Sequence, residues 1–504
     1  PFDSRQYTTT NFTGSLEWEA TENLKFYSDA TINDQEMLRS EIRFMGSGVG
    51  SGWTVEESTV TSVETRDLGS VDGPNGIYDL GSIDVVTGGL LIPAIREGGR
   101  HLDPNLRLGG NNTPRLTKSQ VFAFGGEWVG DKLTVNAEVS YSDAEDRAPK
   151  ISNTLDFINP NSTQPNGDPG STGYYDNGTP MIYNAHGSFF EWGIAQGLDT
   201  TPTTEMLLDP KNWGLNELRI SNDTSDGEET SLRTDFSYDV SDDMSFFTDV
   251  HAGIRYNESK ASRANASSRT RTRFWDRPRG DTFSEILVQG PDNFGSIDGR
   301  ELYIKDYLMI SPDLSANNPQ YVRDIIDAAI TRNNAETGRT TSLTSTPEVA
   351  ASSQFAITEE STALYLQGDF ELELGDAIVS GDLGVRYIST DVTSIGNSIA
   401  EDSNGNTMIS QTNTKSDYSF TLPRLNVAIE LYDDFVVRIG AGKDIRRPNF
   451  DDLSTSVSWG ETPYDEVAMG NPGLKPEEIT SYDLSLEYYF APGSLVSVGF
   501  FQKD

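Results

Sequence analysis

The side chains best suited to chemistry in this chain are flat aromatic rings set among amides and carboxylates. Tyr174, Tyr175, Trp192, Trp213, Trp275, Trp459 and Tyr464 fall in stretches rich in Asn, Asp and Gly. Rings of this kind stack on the C–H faces of a polyhydroxylated solute while neighbouring oxygens and amides take its hydroxyls. They serve equally well to pack loops together or to line a membrane interface. Arg446 and Glu477 are further candidate ligand contacts, flanked by Pro448, Pro472 and Pro476, which end strands. The bland alternative is that these two charges meet each other or water. Arg263, Arg269, Arg271, Arg273, Arg277 and Arg279 surround Phe274 and Trp275. That cluster suits an anionic group, or internal pairing, the commoner fate of a charge run.

Catalytic chemistry finds no foothold. His101, His186 and His251 are scattered and show no zinc spacing. Asp402-Ser403-Asn404-Gly405-Asn406 opens like a calcium loop but lacks the glycine and the closing glutamate at the required offsets, so it reads as a turn. Gly46–Gly52 lacks the Lys-Ser/Thr ending of a phosphate loop and reads as a flexible connection. There is no nucleophile elbow and no carboxylate pair for glycosidic chemistry. With no cysteine, disulfides and thiolate sites are excluded. The expectation is a protein that is not an enzyme and carries neither cofactor nor metal.

With 38 basic against 78 acidic residues the formal charge is −40, which disfavours nucleic acid as a partner. The chain holds no apolar run of the roughly eighteen residues that a membrane-spanning helix needs. A mean hydropathy of −0.49 does not argue against a membrane, because barrel strands show only alternate residues to lipid. No secretion signal is visible, and the chain opens and stops in mid-pattern, as an interior segment of a longer protein would.

The elements that must carry these side chains are hairpins. Tyr482, Leu484, Leu486, Tyr488 and Phe490 alternate with Asp483, Ser485, Glu487 and Tyr489, then Ala491–Ser494 turns into Leu495–Phe501. The same unit recurs at Tyr7–Ile32, Leu116–Tyr141, Leu232–Tyr256, Leu364–Tyr387 and Leu425–Ile439, about twelve strands in all. Trp53–Arg66 is a further strand candidate, and Asn318–Asn333 shows helical spacing at Val322, Ile325, Ile326, Ala329 and Ile330. Turns on one side are short, while 142–228 and 257–360 are long polar connections. This asymmetry is the pattern of an all-β transmembrane antiparallel barrel with long extracellular loops.

From Glu359 onward the chain resembles the C-terminal half of a TonB-dependent outer-membrane receptor. The resemblance rests on Glu360–Phe370, Gly381–Tyr387, Leu422–Asn426, Arg446–Leu453 and Gly470–Glu477, five weak motifs in the right order. Their wording is most similar to a proteobacterial subfamily whose members often take up oligosaccharides. The resemblance implies a 22-stranded barrel enclosing a plug, of which residues 1–504 would be a partial barrel without plug or last strands. It further implies a multi-pass protein of the outer membrane, among lipid and lipopolysaccharide, energised by a TonB-ExbB-ExbD complex through the plug. The implied function is active import of a scarce solute such as an oligosaccharide. The rivals are siderophore, metal-chelate or peptide uptake, a passive porin-like channel, and a secreted all-β adhesion protein.

Overall fold

The computed structural model describes the chain except residues 1, 48–58, 74–75, 93–103, 162–177, 187–188, 273–276, 292–300, 403, 405, 433, 459–466 and 468. Thirteen strands build one antiparallel wall: β1 (Phe2–Thr21), β2 (Leu24–Ser47), β3 (Asn105–Asn112), β4 (Arg115–Val129), β5 (Leu133–Phe157), β6 (Trp213–Asp239), β7 (Phe247–Arg271), β8 (Phe355–Leu374), β9 (Ala377–Glu401), β10 (Thr407–Tyr432), β11 (Phe435–Arg446), β12 (Glu477–Ala491) and β13 (Ser494–Lys503). β3 and β4 lie end to end between β2 and β5, so the wall has twelve places. The break between them is Thr113-Pro114, where proline has no N–H to give the ladder; Thr113 N donates instead to Arg39 O at 2.9 Å.

The register explains why the wall forms. Leu372, Val379, Ile429, Val437, Leu486 and Val498 face one another across six successive strands. Phe124, Val139, Leu232 and Tyr256 make a similar row across four. These side chains are on the face that carries the exposed aromatics and aliphatics of the wall, among them Phe122, Phe236, Leu366, Tyr387 and Phe500. So broad an apolar face would be costly in water and suits hydrocarbon. The opposite face is polar: Tyr27 Oη donates to Glu138 at 2.9 Å, Tyr365 Oη to Asp235 at 2.8 Å, and His251 pairs with Asp369 at 2.9 Å. Tight turns, as at Gly375 (φ +70°) and Gly493 (φ +74°), lie at one end, and the long connections lie at the other.

All six expected hairpins are present. The expected loops 142–228 and 257–360 are shorter, because β5 continues to Phe157, β6 begins at Trp213, β7 runs to Arg271 and β8 begins at Phe355. Strands of 25 to 27 residues exceed the roughly 9–11 that cross a bilayer, so their upper parts stand above it, where the ends of β5 and β6 are buried under the long connections. In the polar stretch 142–150 the apolar alternation that marks a strand in the sequence disappears. The candidate strand at 53–66 is Thr59–Asp67, in a small sheet with Ser82–Leu91, Met181–His186 and Phe189–Ile194.

The remaining long connections fold into a cap over the upper wall. It contains α1 (Thr204–Leu207), α2 (Pro312–Asn317) and α3 (Pro319–Thr337). α2 starts where Ser311 Oγ accepts from Leu314 N at 3.2 Å, and α3 ends on Gly338 in the left-handed region (φ 70°). The expected helix is thus present and somewhat longer. Its Val322, Ile326, Ala329 and Ile330 are buried with Trp213, Phe157, Phe283, Tyr307, Leu106 and Leu155 in one apolar core.

Candidate functional site

The upper inner face of β4 to β8 is acidic, and the register shows why. Val121, Ser142, Glu229, Ser259 and Glu359 form one row, and two rows up the same face Thr117, Asp146, Ser225, Arg263 and Phe355 form another. Alternate residues of these strands face outward, so Glu359 points inward and its neighbour Glu360 outward. The segment after β11 folds back over this face, and Arg447 reaches Glu359 at 3.5 Å and Ser361 Oγ at 3.0 Å. Arg263 of β7 meets Asp451 of the same segment at 2.7 Å. A segment leaving β11 can touch β7 and β8 only if the wall curves around it.

Two hollows result. One, of about 770 Å³, is bordered by Asp146, Glu229, Ser259, Glu359, Arg447 and Phe450. The other, of about 730 Å³, is bordered by Asp223, Arg263, Asn265, Phe355, Asp451 and Asn471. Both guanidinium groups are already engaged with carboxylates. Asp146 accepts from Thr117 Oγ1 at 2.9 Å and Arg115 Nε at 2.6 Å, and Glu229 accepts from Ser259 Oγ at 3.0 Å. The arrangement offers carboxylate, amide and hydroxyl groups beside the rings of Phe355 and Phe450. Hydroxyl donors fit it, and surplus negative charge on a ligand does not.

The residues nominated from sequence are dispersed. Trp213 is not a contact residue, which corrects the expectation: it is fully buried, tilted 5.3 Å from the Phe157 ring, with Nε1 donating to Leu207 O at 2.8 Å. Trp192 is half-buried against the cap core. Arg446 is exposed, 3.8 Å from Glu477, so the two candidate charges meet each other. Tyr174, Tyr175, Trp275, Trp459 and Tyr464 lie outside the described residues. Of the arginine cluster, Arg263 pairs with Asp451 and Arg269 with Glu217. Arg277 is buried against Asp156, a fully buried carboxylate that also meets Arg107 at 3.2 Å and Asn216 at 3.1 Å. Burial, then the neighbouring Arg277 charge, pushes Arg279 down to about 10. Arg273 lies outside the described residues, and Arg277 ties the connection after β7 to the wall at Asp156.

Asp402 forms the expected turn, accepting from Asn404 N at 2.8 Å and Asn406 N at 2.9 Å. The side chain of Asn406, then these backbone donors, holds its carboxyl below the ordinary value. No group of three or more metal-ligating side chains occurs among the described residues. Sequence reasoning missed Asp146, Glu229 and Glu359 as a set. Only the strand register, which decides which carboxylate of a polar run turns inward, could have found them.

Residues 161–504 match the family model described as TonB dependent receptor-like, beta-barrel. No curated protein matches the chain. Among solved structures, it is similar to the ferric preacinetobactin receptor BauA of Acinetobacter baumannii, with 10% identity over 99% of this chain and 53% of that one and a TM-score of 0.35. It is similar to the ferric-catecholate import receptor Fiu of E. coli at 7% identity, over 99% and 57%, with a TM-score of 0.41. It is similar to the ferric citrate transporter FecA at 9% identity, over 98% and 50%, with a TM-score of 0.28. The chain spans about half the length of these receptors.

Proposed function

The chain belongs to the TonB-dependent receptor-like β-barrel family of the bacterial outer membrane, and from that premise we propose that it is the barrel part of an active importer of a neutral, hydroxyl-rich solute, an oligosaccharide in the first instance. The supporting observation is the acidic inner cleft, where Asp146, Glu229 and Glu359 face the lumen and the arginines bordering the two hollows, Arg263 and Arg447, are paired with carboxylates. Ionised carboxylates accept strongly from sugar hydroxyls, whereas a polyanionic ferric chelate would meet like charge there. A passive pore cannot concentrate a scarce solute, so the proposal includes energy coupling by TonB through a plug. It also takes the protein to be a transporter, not an enzyme.

Uptake of an iron chelate, the activity named for BauA, Fiu and FecA, is the rival, and one experiment separates the two. The full-length receptor, purified in detergent, is titrated calorimetrically with maltohexaose, cellohexaose and xylohexaose, then with ferric citrate and a ferric catecholate. Saturable binding of a hexasaccharide, weakened at least tenfold by Glu229→Gln together with Glu359→Gln, is expected. Saturable binding of a ferric chelate with no hexasaccharide response overturns the proposal. Raised receptor levels on a carbohydrate carbon source, rather than under iron limitation, are expected in the native host.

A further inference from the structure

Residues 447–458, between β11 and β12, lie on the inner wall as a strap with an unusual underside. Leu453, Ser454, Thr455, Ser456 and Val457 are all buried, and the middle three carry hydroxyls. The wall opposite is also hydroxylic: Ser361, Thr390 and Ser394 are buried there, and Ser361 Oγ lies 2.7 Å from Thr390 Oγ1. Ser394 Oγ donates to Leu453 O at 2.9 Å, Thr412 Oγ1 to Thr455 O at 3.3 Å, and Ser456 Oγ accepts from Asn397 N at 3.1 Å. Val457 and Ser458 pair in parallel with Ser398 and Ile399, taking the edge place beside β9 that β8 leaves above Ala356. Gly396 makes this approach possible, since a Cβ there would stand 2.5 Å from Ser456 N.

Two features make the seam separable. Its apolar part is smaller than the cap core, with Leu453 set among Ile357, Val392 and Tyr418 and the partly buried Phe355, Phe420 and Phe450. And one hydroxyl inside it, Thr455 Oγ1, is buried without a hydrogen-bond partner. Buried polar groups are nearly always paired, so a joint that leaves one unpaired gives it back a partner when it opens. A seam of hydroxyls loses little on exposure, because water or a hydroxylated ligand replaces each bond.

We propose that the strap is a detachable stand-in for ligand, and that the surface beneath it, lined by Ser361, Thr390, Ser394, Thr412 and Tyr418, is a second subsite for the same hydroxyl-rich solute. The ligand class rests on the reading of the cleft given above; the detachment does not. The strap's Ser-Thr-Ser run and carbonyl oxygens supply the groups that a sugar would supply, so solute entering from the adjoining hollow competes with the strap for one set of donors and acceptors.

The chain has no cysteine, so a pair introduced as Ser398→Cys and Val457→Cys forms a single controllable bridge. Hydrogen exchange on the full-length receptor in detergent tests detachment without any ligand. Amides of residues 453–457 are expected to exchange at least a hundredfold faster than those of β9 in the reduced protein, and to slow to wall rates when oxidised. Equal protection of strap and wall in the reduced protein overturns the proposal. Binding of the hexasaccharides is expected to fall at least tenfold on oxidation and to recover with dithiothreitol, with each single-cysteine variant unaffected by oxidant. Equal binding by both forms removes the second subsite. If neither form binds a hexasaccharide, the sugar reading fails, taking the subsite's ligand class with it, and exchange alone decides detachment.

Discussion

Trp213 in the cap and Leu453 in the strap are both buried apolar anchors above the same wall, yet their surroundings differ in kind. Around Trp213, twenty-one other buried apolar side chains from β2, β3, β5, β6, the loops and the helices form one core. Around Leu453 there are three, with Phe355, Phe420 and Phe450 partly buried at their edge, and the bonds that hold the seam come from hydroxyls and backbone. Apolar burial is lost outright on opening, whereas hydroxyl pairing is exchanged for water at small net cost. The cap is therefore built as a permanent part of the barrel, and the strap as a part that can leave.

The largest effect should come from the cap. Trp213→Ala removes a wholly buried indole and its bond to Leu207 O, and a loss of about 4 kcal/mol is expected from such truncations. It would be read as a lower urea midpoint in detergent with new tryptic cleavage between residues 158 and 212. A midpoint within error of wild type would show that the cap is not one cooperative unit with the wall. Next comes Asp156→Ala, which leaves the buried Arg277 without its carboxylate at a cost of about 3 kcal/mol. Asp156→Asn should recover part of that, because an amide oxygen still accepts from a guanidinium.

At the strap the signature should invert. Leu453→Ala is expected to cost about 2 kcal/mol locally, speeding exchange of residues 453–457 while leaving the global urea midpoint unchanged. Gly396→Val, which puts side-chain atoms against Ser456 N, should produce the same phenotype by pushing rather than by loosening. A drop in the global midpoint for either variant would mean that strap and wall unfold together, and the contrast with the cap would vanish.

How much of this was legible in the sequence follows the solvent. Where the strands cross hydrocarbon, physics enforces apolar alternation, and hairpins such as Leu364–Tyr387 can be placed to within a residue or two of their turns. Above the bilayer that constraint lapses, so Ser142–Phe157, polar as far as Lys150, reads as loop although it is strand. The site fared worse for a related reason. Aromatic residues were chosen by type, but Trp213 belongs to a core drawn from many separate segments that no local pattern connects. Glu229 and Glu359 look ordinary in polar runs; they acquire a role only because Ser259 pairs with both and turns all three inward. Arg447 stood in a recognised motif, but the motif's spacing says nothing of its reach to Glu359.

The smallest expected effect lies at the tip of the β9–β10 hairpin, where neither cap nor strap intervenes. Asp402 is held below its ordinary pKa by Asn406, then by the backbone amides of residues 406 and 404. A depressed carboxyl stabilises the folded tip only while ionised, so its contribution is complete above the ordinary carboxylate value and fades as pH falls through the lowered one. Asp402→Ala should therefore quicken exchange of the Asn404 and Asn406 amides at neutral pH, and wild type and variant should converge in strong acid. Strap and cap protection should be untouched at either pH. A change in strap exchange on mutating Asp402 would show that the hairpin tip and the strap open as one unit, tied through the Ser398–Val457 bridge to the wall below.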